Sequence, residues 1–318
     1  MGRSDVTMSL CILSGSAHVR LGRSIGNALG VEPSVCNVER FPDGELRPTV
    51  GPLQDGDVYI VQPTGPPVND HLVELLLLID ACRRAGAGRI TAVIPYLGYA
   101  RQDRRDAAGQ SIGAAVAARA IATSGADRVI VIDPHTPSIE TVFDVPVEMI
   151  TAVPVLARAL GEHIGESTVI VAPDLGAVKL AEHYGSILGK SVVIVRKTRR
   201  SGSEVRVEEV IGDVDGRPVA IVDDMISTGA TIQAAAKAVV ERGALPDLVV
   251  AATHGLLIRP QVEGPAFPLI GRILVTDSLP QRPSSDMTIE VVSIAHLLAD
   301  AIDRLHHRRP LDDLLTRR

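Results

Sequence analysis

Short apolar runs recur along the chain, and the stretches between them are long enough for one helix each. The runs are continuous and rich in β-branched residues, which is typical of strands buried on both faces of a parallel sheet. The predicted strands are residues 9–13, 58–61, 90–94, 129–132, 169–172, 192–195, 219–222, 248–251 and 273–275. Strands that alternate with helices predict an α/β protein.

The segment between the second and third predicted strands shows the helical pattern. Residues 69–86 carry one apolar stripe at helical spacing, which consists of Leu72, Leu75, Leu76 and Ile79. We expect Asn69 or Asp70 to cap the first turn and Gly86 to end the helix, because these residue types are favoured at those positions. The segment therefore predicts an amphipathic helix that covers the sheet.

The two halves of the chain contain similar series of features. In each half a strand, a polar loop, an alanine-rich helix and a Gly-Ala turn lead to a strand that ends near a histidine. We match GRITAVIPYLGYARQDRRD in the first half with GRPVAIVDDMISTGATIQ in the second. The repeat predicts two domains, residues 1–148 and 149–318. The pattern leaves open whether the last helix, residues 294–307, packs on the C-terminal domain or returns to the N-terminal one.

Composition excludes several function classes. The chain has 38 acidic and 32 basic residues, a net charge of −6, four Tyr, three Phe and no Trp. A nucleic-acid-binding surface needs clustered positive charge or stacking aromatic rings, so we expect no nucleic-acid partner. No apolar run approaches the ~18 residues of a membrane-spanning helix, so we expect no membrane partner. Three cysteines without a paired motif are typical of a reducing compartment, and we expect a cytoplasmic protein.

The segment VAIVDDMISTGATIQ carries the strongest chemical signal. Its predicted strand ends in two carboxylates, Asp223 and Asp224, and a small-residue loop then opens a helix. The loop residues are Ser227, Thr228, Gly229, Ala230 and Thr231. Backbone N–H groups and hydroxyls at a helix N-terminus favour a phosphate, and glycine lets the backbone approach it. Paired carboxylates can accept hydrogen bonds from vicinal sugar hydroxyls or help to hold a metal, and together with the loop they predict a sugar-phosphate site.

The sequence DDMISTGAT resembles the phosphoribosyl-diphosphate (PRPP) binding motif of type I phosphoribosyltransferases and PRPP synthetases. Other segments, in the same order and at the same spacing, resemble ribose-phosphate pyrophosphokinases. These segments are FPDGELRP at 41–48, QPTGPPVND at 62–70, ARQDRRD at 100–106, VIDPH at 131–135, APDLG at 172–176 and VTDS at 275–278. The resemblance covers nearly the whole chain, whereas the transferases usually have one such domain.

The resemblance implies a fold, a reaction and an assembly. The fold is two tandem phosphoribosyltransferase-like α/β domains, each with a mainly parallel sheet flanked by helices. The reaction is Mg²⁺-dependent transfer of the diphosphoryl group of ATP to the 1-hydroxyl of ribose 5-phosphate, which gives PRPP and AMP. The assembly is a homo-oligomer with a dimer as its minimum, and hexamers are usual in the family.

The resemblance also implies residue roles on the ATP side of the reaction. Phe41, Asp43 and Glu45 would reach into the ATP site of a neighbouring subunit, with Phe41 against the adenine. Arg101 and Gln102 would bind ATP from the other side of that interface. Arginine suits this role because its planar guanidinium can both stack and pair with phosphate oxygens.

The remaining implied roles concern the metal and the transferring phosphates. His135 and Asp174 would ligate Mg²⁺, and the loop facing the pyrophosphate would consist of Asp174, Leu175, Gly176 and Ala177. Lys197 and Arg199 would be catalytic, on a mobile loop that ends near residue 205. The ribose 5-phosphate site would be formed by Asp223, Asp224 and the five loop residues 227–231.

One departure from the family pattern bears on two alternative functions. Ala230 stands where the family usually has glycine, and a positive φ at that position would add strain of about 1 kcal/mol. This residue favours a catalytically silent paralogue that regulates an active partner. A phosphoribosyltransferase that consumes PRPP is the other alternative, and the FPDGE and ARQD segments count against it.

Overall fold

The structure is a computed structural model that describes residues 8–199, 205–258, 267–281 and 288–316. For residues 197–199 and 205–208 it describes the backbone alone. The chain folds into two compact units. The N-terminal unit comprises Met1–Thr151, Ser278–Pro280 and Ala295–Arg318, and the C-terminal unit comprises Ala152–Asp277 and Gln281–Ile294.

The N-terminal unit is built on a five-stranded sheet in the order β1-β4-β5-β6-β7, in which every pair of neighbours is parallel. A separate antiparallel hairpin, β2–β3, follows the first helix. The strands are β1 (Leu10–Ser14), β2 (Cys36–Arg40), β3 (Leu46–Val50), β4 (Asp57–Val61), β5 (Arg89–Ile94), β6 (Arg128–Ile132) and β7 (Val147–Ile150). The helices are α1 (Val19–Leu29), α2 (Val68–Arg84) and α3 (Gly113–Ser124).

The C-terminal unit is built on a seven-stranded sheet in the order β10-β9-β8-β11-β12-β13-β14. All neighbours are parallel except β9 and β10, which form an antiparallel hairpin. The strands are β8 (Val169–Ala172), β9 (Val192–Arg199), β10 (Val205–Ile211), β11 (Val219–Ile226), β12 (Leu248–Gly255), β13 (Ile270–Thr276) and β14 (Ile289–Val292). The helices are α4 (Val153–Gly161), α5 (Val178–Leu188) and α6 (Ala230–Glu241), and the last helix of the chain, α7 (Ala295–His306), belongs to the N-terminal unit.

These sheets confirm the predicted α/β fold with two mainly parallel sheets. All nine predicted strands are present, and the central ones are buried along their length, as continuous apolar runs require. The strands that the pattern missed are β2, β3, β7, β10 and β14. They are short or mix polar with apolar positions, so they lack the continuous runs on which the prediction relied. Within the described residues, no helix combines the length and apolarity needed to cross a bilayer.

The capping prediction for α2 is wrong. The helix begins at Val68, after Pro67, and no side chain caps it. Asn69 accepts a hydrogen bond from the Tyr99 hydroxyl, and Asp70 pairs with Arg40 at 2.8 Å. Tertiary contacts therefore use both polar side chains that local sequence assigned to the cap.

The apolar stripe and the end of α2 agree with the prediction. Leu75 and Ile79 are fully buried, and Leu72 and Leu76 pack against the same core. Gly86 has φ +87° just after the helix, a conformation that glycine adopts without strain.

The repeat between the two halves is present, but the elements that correspond are shifted by one strand and one helix from those that were predicted to correspond. The series β1, α1, hairpin β2–β3, β4, α2, β5 corresponds to β8, α5, hairpin β9–β10, β11, α6, β12. The prediction matched β5 with β11, because both precede an alanine-rich helix. In the sheets, β11 occupies the place of β4, so the counterpart of the sugar-phosphate loop is residues 62–67.

The C-terminal segment completes the N-terminal unit. Helix α7 packs on α1, and the chain then runs antiparallel along the edge of β7. There the backbone N–H of Thr151 donates to the Leu314 carbonyl at 2.9 Å, and that of Thr316 donates to the Met149 carbonyl at 2.8 Å. The segment therefore pairs the edge of β7 that β6 leaves open.

The three cysteines are free thiols. Cys82 is buried in the core of the N-terminal unit, and Cys11 and Cys36 are half-buried and pack against that core. Burial raises the pKa of Cys82 to about 12, and burial together with the charge of Glu74 raises the pKa of Cys36 to about 11. Both thiols are therefore protonated at neutral pH, and a protonated thiol is a weak nucleophile.

Candidate active site

The predicted sugar-phosphate loop joins β11 to α6. Asp223 and Asp224 lie inside β11, which runs to Ile226 instead of ending at residue 222. The N–H of Asp224 donates to the Asp223 carboxylate at 2.9 Å. Gly229 has φ +81° and directly precedes the 12-residue helix. The first turn of that helix presents N–H groups without intrahelical partners at the positive end of its dipole, an arrangement that binds phosphate.

The helix begins at Ala230, and the one positive φ between Ser227 and Thr231 belongs to Gly229. Ala230 therefore carries none of the left-handed strain considered above. Thr228 Oγ1 lies 3.5 Å from the N–H of Ala230 and is exposed at the loop tip. Alanine is compatible with this loop because position 230 is helical.

Three carboxylates of the C-terminal unit interact near the loop. Burial, the adjacent Asp224 and the charge of Asp174 raise the pKa of Asp223 well above its usual range. Asp223 therefore retains a proton into a higher pH range than an exposed aspartate, which lowers the negative charge of the cluster. A protonated carboxyl both donates and accepts hydrogen bonds, as recognition of a sugar hydroxyl requires.

The predicted pyrophosphate loop follows β8. Asp174 Oδ1 accepts hydrogen bonds from the N–H groups of Gly176 at 2.9 Å and Ala177 at 3.2 Å, within the short 3₁₀ turn Leu175–Ala177 that leads into α5. Leu175 is exposed. Two N–H groups of the predicted pyrophosphate loop therefore donate to the carboxylate of Asp174, which belongs to the same loop.

Two predicted segments of the N-terminal unit are joined at the carboxyl ends of neighbouring strands. Arg101 and Gln102 follow β5, and His135 follows β6. Ser138 donates to the Asp103 carboxylate at 3.0 Å, which links the two segments. Arg101, Gln102 and His135 are all exposed, as ligand-binding groups require.

The position of Gln102 is set by its backbone. Its N–H donates to the Tyr99 carbonyl at 2.8 Å, and its carbonyl accepts from the N–H of Ala114 at 3.2 Å. Tyr99 has φ +66°, a left-handed conformation that costs a non-glycine residue free energy.

Asp133 is a candidate that the sequence prediction missed. It lies two residues before His135 at the end of β6, is buried, and has φ +33°. The sequence does carry a signal for Asp133, which is an acidic residue at the end of an apolar strand in the segment VIDPH. The same signal was used at Asp223, where an adjacent second acid made it more visible.

The FPDGE segment forms the turn of the β2–β3 hairpin. The N–H of Phe41 donates to the Glu45 carbonyl at 2.8 Å, and the N–H of Glu45 donates to the Asp43 carboxylate at 3.1 Å. The Arg47 guanidinium lies 4.9 Å from the centre of the Phe41 ring. Asp43 and Glu45 are exposed and Phe41 is half-buried, so the turn presents two carboxylates beside an aromatic ring.

The prediction that Lys197 and Arg199 lie on a loop is wrong for their backbone. Both are in β9, where Lys197 faces Val207 and Arg199 faces Val205 of β10. The β-branched residues of β9 and β10 favour pairing between these two strands, so β9 continues past its predicted end. The side chains of Lys197 and Arg199, and the whole of residues 200–204, lie outside the described part of the chain.

Within the described residues, no three His, Cys, Asp or Glu side chains are grouped so that they could hold a metal ion. The predicted ligands His135 and Asp174 belong to the N-terminal and C-terminal units, respectively. A metal site formed by these two residues therefore remains a prediction.

Fold and loop together define a class of protein. Two parallel α/β units, with acidic residues at a strand end followed by a Thr-Gly turn and a helix N-terminus, define a protein of the phosphoribosyltransferase structural type. Three family models match the chain. They describe an N-terminal domain of ribose phosphate pyrophosphokinase at residues 10–125, a phosphoribosyl transferase domain at 146–255 and a phosphoribosyl synthetase-associated domain at 201–316.

Relatives define the family more narrowly. The chain is 41% identical to a ribose-phosphate pyrophosphokinase of Rhodopirellula baltica, over 97% of this chain and 99% of the relative. It is also 41% identical to one of Gloeobacter violaceus, over 93% and 90%. The crystal structure of phosphoribosylpyrophosphate synthetase from Mycobacterium smegmatis matches with a TM-score of 0.85 and 34% identity, over 94% of this chain and 99% of that one. This chain belongs to the ribose-phosphate pyrophosphokinase family.

Proposed function

We propose that this chain is a ribose-phosphate diphosphokinase, which transfers the diphosphoryl group of ATP to the 1-hydroxyl of ribose 5-phosphate and releases AMP. The observation that carries the proposal is the loop between β11 and α6. It combines two carboxylates in the second half of β11 with a glycine in the left-handed conformation and a helix N-terminus. The family membership of the whole chain decides between synthesis and consumption of PRPP.

The C-terminal unit would bind ribose 5-phosphate. The 5-phosphate accepts hydrogen bonds from N–H groups and hydroxyls of the loop residues Ser227, Thr228, Gly229, Ala230 and Thr231. Asp223 and Asp224 bind the ribose hydroxyls. The raised pKa of Asp223 supports this role, because one carboxyl can then donate a hydrogen bond while its neighbour accepts.

The transfer step moves a diphosphoryl group without oxidation or reduction. The 1-hydroxyl oxygen of the ribose forms a bond to the β-phosphorus of ATP, and its proton is released to the solvent. The bond from the β-phosphorus to the oxygen that bridges it to the α-phosphorus breaks, and AMP leaves with that oxygen. We propose that Lys197 and Arg199 stabilise the negative charge on the transferring phosphates. Positive groups stabilise that charge more in the transition state than in the ground state. The loop 174–177 would face the pyrophosphate, with N–H groups that Asp174 now occupies.

The N-terminal unit would bind ATP. Arg101 and Gln102 lie at the carboxyl ends of the parallel strands, where ligands of α/β proteins bind. Phe41, Asp43 and Glu45 would come from the hairpin of a neighbouring subunit. We therefore propose a cytoplasmic homo-oligomer with at least two subunits, a hexamer by the family pattern, in which residues 1–148 serve ATP and residues 149–318 serve ribose 5-phosphate.

Of the two predicted metal ligands, the carboxylate of Asp174 suits Mg²⁺, which prefers oxygen donors. Asp174 offers a carboxylate near Asp223 and Asp224, and His135 offers an imidazole. Mg²⁺ in nucleotide enzymes is bound by one or two protein carboxylates together with substrate phosphates, so a cage of three protein ligands is not required. When bound, Mg²⁺ would neutralise and orient the phosphates.

The test is a product assay. Purified protein is incubated with ATP, Mg²⁺ and ribose 5-phosphate, and AMP and PRPP are quantified together by mass spectrometry. We expect equimolar AMP and PRPP, formed only when both substrates are present. ATP binding without turnover would indicate a silent paralogue, and consumption of added PRPP without ATP would indicate a transferase; either result would overturn the proposal.

A further inference from the structure

We propose that Phe267 is a positioning residue for the sugar-phosphate loop, an inference that rests on the function proposed above. Phe267 lies 38 residues after Gly229 in sequence. Its side chain is buried and belongs to the same apolar core as Ile226 and Ile232, the residues at the two ends of the loop. One aromatic ring therefore shares a core with the strand end and with the first turn of the helix.

The ring of Phe267 packs directly against Gly229. A Cβ atom added to Gly229 would lie 2.2 Å from Phe267 Cε1 and 2.3 Å from Cζ, far inside van der Waals contact. Gly229 is also the loop residue with φ +81°. Two independent constraints, the backbone angle and the ring, thus require glycine at this position.

The strand end that enters the loop is also fixed from the side of β12. The Ile226 carbonyl accepts hydrogen bonds from the N–H groups of Leu256 and Leu257, both at 3.0 Å. The Ser227 carbonyl accepts from the N–H of Ile258 at 2.9 Å. Leu257 has φ +47°, so the supporting segment is itself held in a conformation that non-glycine residues rarely adopt.

These contacts have a consequence for binding. Residues 226 and 227 are fixed by backbone hydrogen bonds, and Gly229 is fixed on its other side by the ring. The direction of the N–H donors that follow depends on the position of Gly229, and preorganised donors bind a phosphate more tightly than donors that must be ordered on binding. Loss of the ring should therefore weaken binding of ribose 5-phosphate without affecting the ATP residues Arg101 and Gln102.

The experiment compares Phe267→Ala with Phe143→Ala. Phe143 is an equally buried phenylalanine in the core of the N-terminal unit and serves as the matched control for loss of a core ring. Binding of ribose 5-phosphate and of ATP is measured by calorimetry, together with kcat, KM and the melting temperature. For Phe267→Ala we expect at least a tenfold weaker affinity and higher KM for ribose 5-phosphate, with ATP affinity unchanged. Phe143→Ala should lower the melting temperature and leave ribose 5-phosphate affinity unchanged.

A second variant guards against loss of folding. Phe267→Leu keeps apolar volume in the core and should lie between the wild type and Phe267→Ala in affinity for ribose 5-phosphate. In the double variant Gly229→Ala/Phe267→Ala, the loss of affinity for ribose 5-phosphate should be smaller than the losses of the two single variants combined. The reason is that the ring no longer clashes with the new Cβ.

Two results would overturn the inference. One is an affinity of Phe267→Ala for ribose 5-phosphate equal to that of the wild type, and the other is strictly additive losses in the double variant. Both are distinguishable from failure of the proposed function, since in that case the wild type itself would neither bind ribose 5-phosphate nor form PRPP.

Discussion

In the sugar-phosphate loop, the left-handed backbone falls on Gly229, and the next residue already belongs to α6. The sequence indicates a Thr-Gly turn that opens a helix, but it does not indicate which of residues 229 and 230 carries the positive φ. That assignment depends on where the helix begins, and helix ends are the least predictable feature of an apolar pattern.

The helical conformation of Ala230 leads to a prediction. Ala230→Gly restores the residue that the family usually has, and we expect kcat and the KM for ribose 5-phosphate to stay within about twofold of the wild type, because no strain is relieved. Steady-state kinetics measure this. An increase of tenfold or more in kcat/KM would show that alanine does impair the loop.

The raised pKa of Asp223 leads to a second prediction. The folded state holds the Asp223 proton more tightly than the unfolded chain, so the associated stability is complete below the unfolded pKa near 3.9 and is lost as pH rises through the folded value. Asp223→Asn should therefore raise the melting temperature of ligand-free protein at pH 7–8, by roughly 2–4 °C per kcal/mol relieved. The gain should vanish near pH 3.

The melting temperatures of the wild type and Asp223→Asn, measured from pH 3 to pH 8, test this prediction. The control is Asp312→Asn, a substitution of an exposed aspartate. A variant that is less stable than the wild type at pH 8 would contradict it.

Among the elements, the pattern predicts buried parallel strands well and paired edge segments poorly. Strand β8 and residues 219–222 of β11 are continuous apolar runs because both of their faces are covered. The hairpins β2–β3 and β9–β10 include two of the segments predicted as sites, around residues 41–45 and 197–199, where polar residues interrupt the apolar pattern. Polar residues in these segments left β2, β3 and β10 without the continuous apolar run that predicts a strand, and they ended the predicted β9 at residue 195.

The start of β4 carries a buried ion cluster that joins two elements distant in sequence. Fully buried Asp57 accepts from Arg89 of β5 at 2.7 and 2.5 Å, and it contacts His306 Nδ1 of α7 at 2.7 Å. Burial by itself would raise the pKa of Asp57, but the hydrogen bonds from Arg89 and His306 outweigh it and lower that pKa. The ionised form is therefore the stabilising one.

This cluster predicts the effect of Asp57→Asn and of acid. Removal of one partner from a buried ion pair should cost about 3 kcal/mol of the free energy of unfolding. The Asp57 contribution is present above the unfolded pKa near 4 and is lost as pH falls through the lowered folded value, so the difference between variant and wild type should shrink in acid. Urea unfolding at pH 7 and at low pH tests this, and a difference that grows in acid would contradict it.

At the scale of the whole molecule, the last 24 residues return to the N-terminal unit after the chain has completed the C-terminal one. The repeat in the sequence suggested two halves but could not assign the final helix. Its assignment depends on long-range partners such as Asp57, which lies 249 residues before His306.

This return leads to a prediction about truncation. Removal of residues 295–318 takes away the helix that packs on α1 and the segment that pairs the edge of β7. We expect the N-terminal unit to lose its protection from proteolysis, while fragments of the C-terminal unit persist. Limited proteolysis with mass spectrometry of the fragments tests this prediction. Equal protection of both units would show that residues 295–318 contribute little to the stability of the N-terminal unit.

The most direct test of diphosphoryl transfer follows the phosphates of ATP themselves. ATP carrying heavy oxygen at the non-bridging positions of its β- and γ-phosphates is supplied with Mg²⁺ and unlabelled ribose 5-phosphate, and the products are analysed by mass spectrometry. We expect PRPP that contains both labelled phosphates and AMP that contains none. Label in orthophosphate or the formation of ADP in place of AMP would show that a single phosphoryl group is transferred, and would contradict the function proposed for this chain.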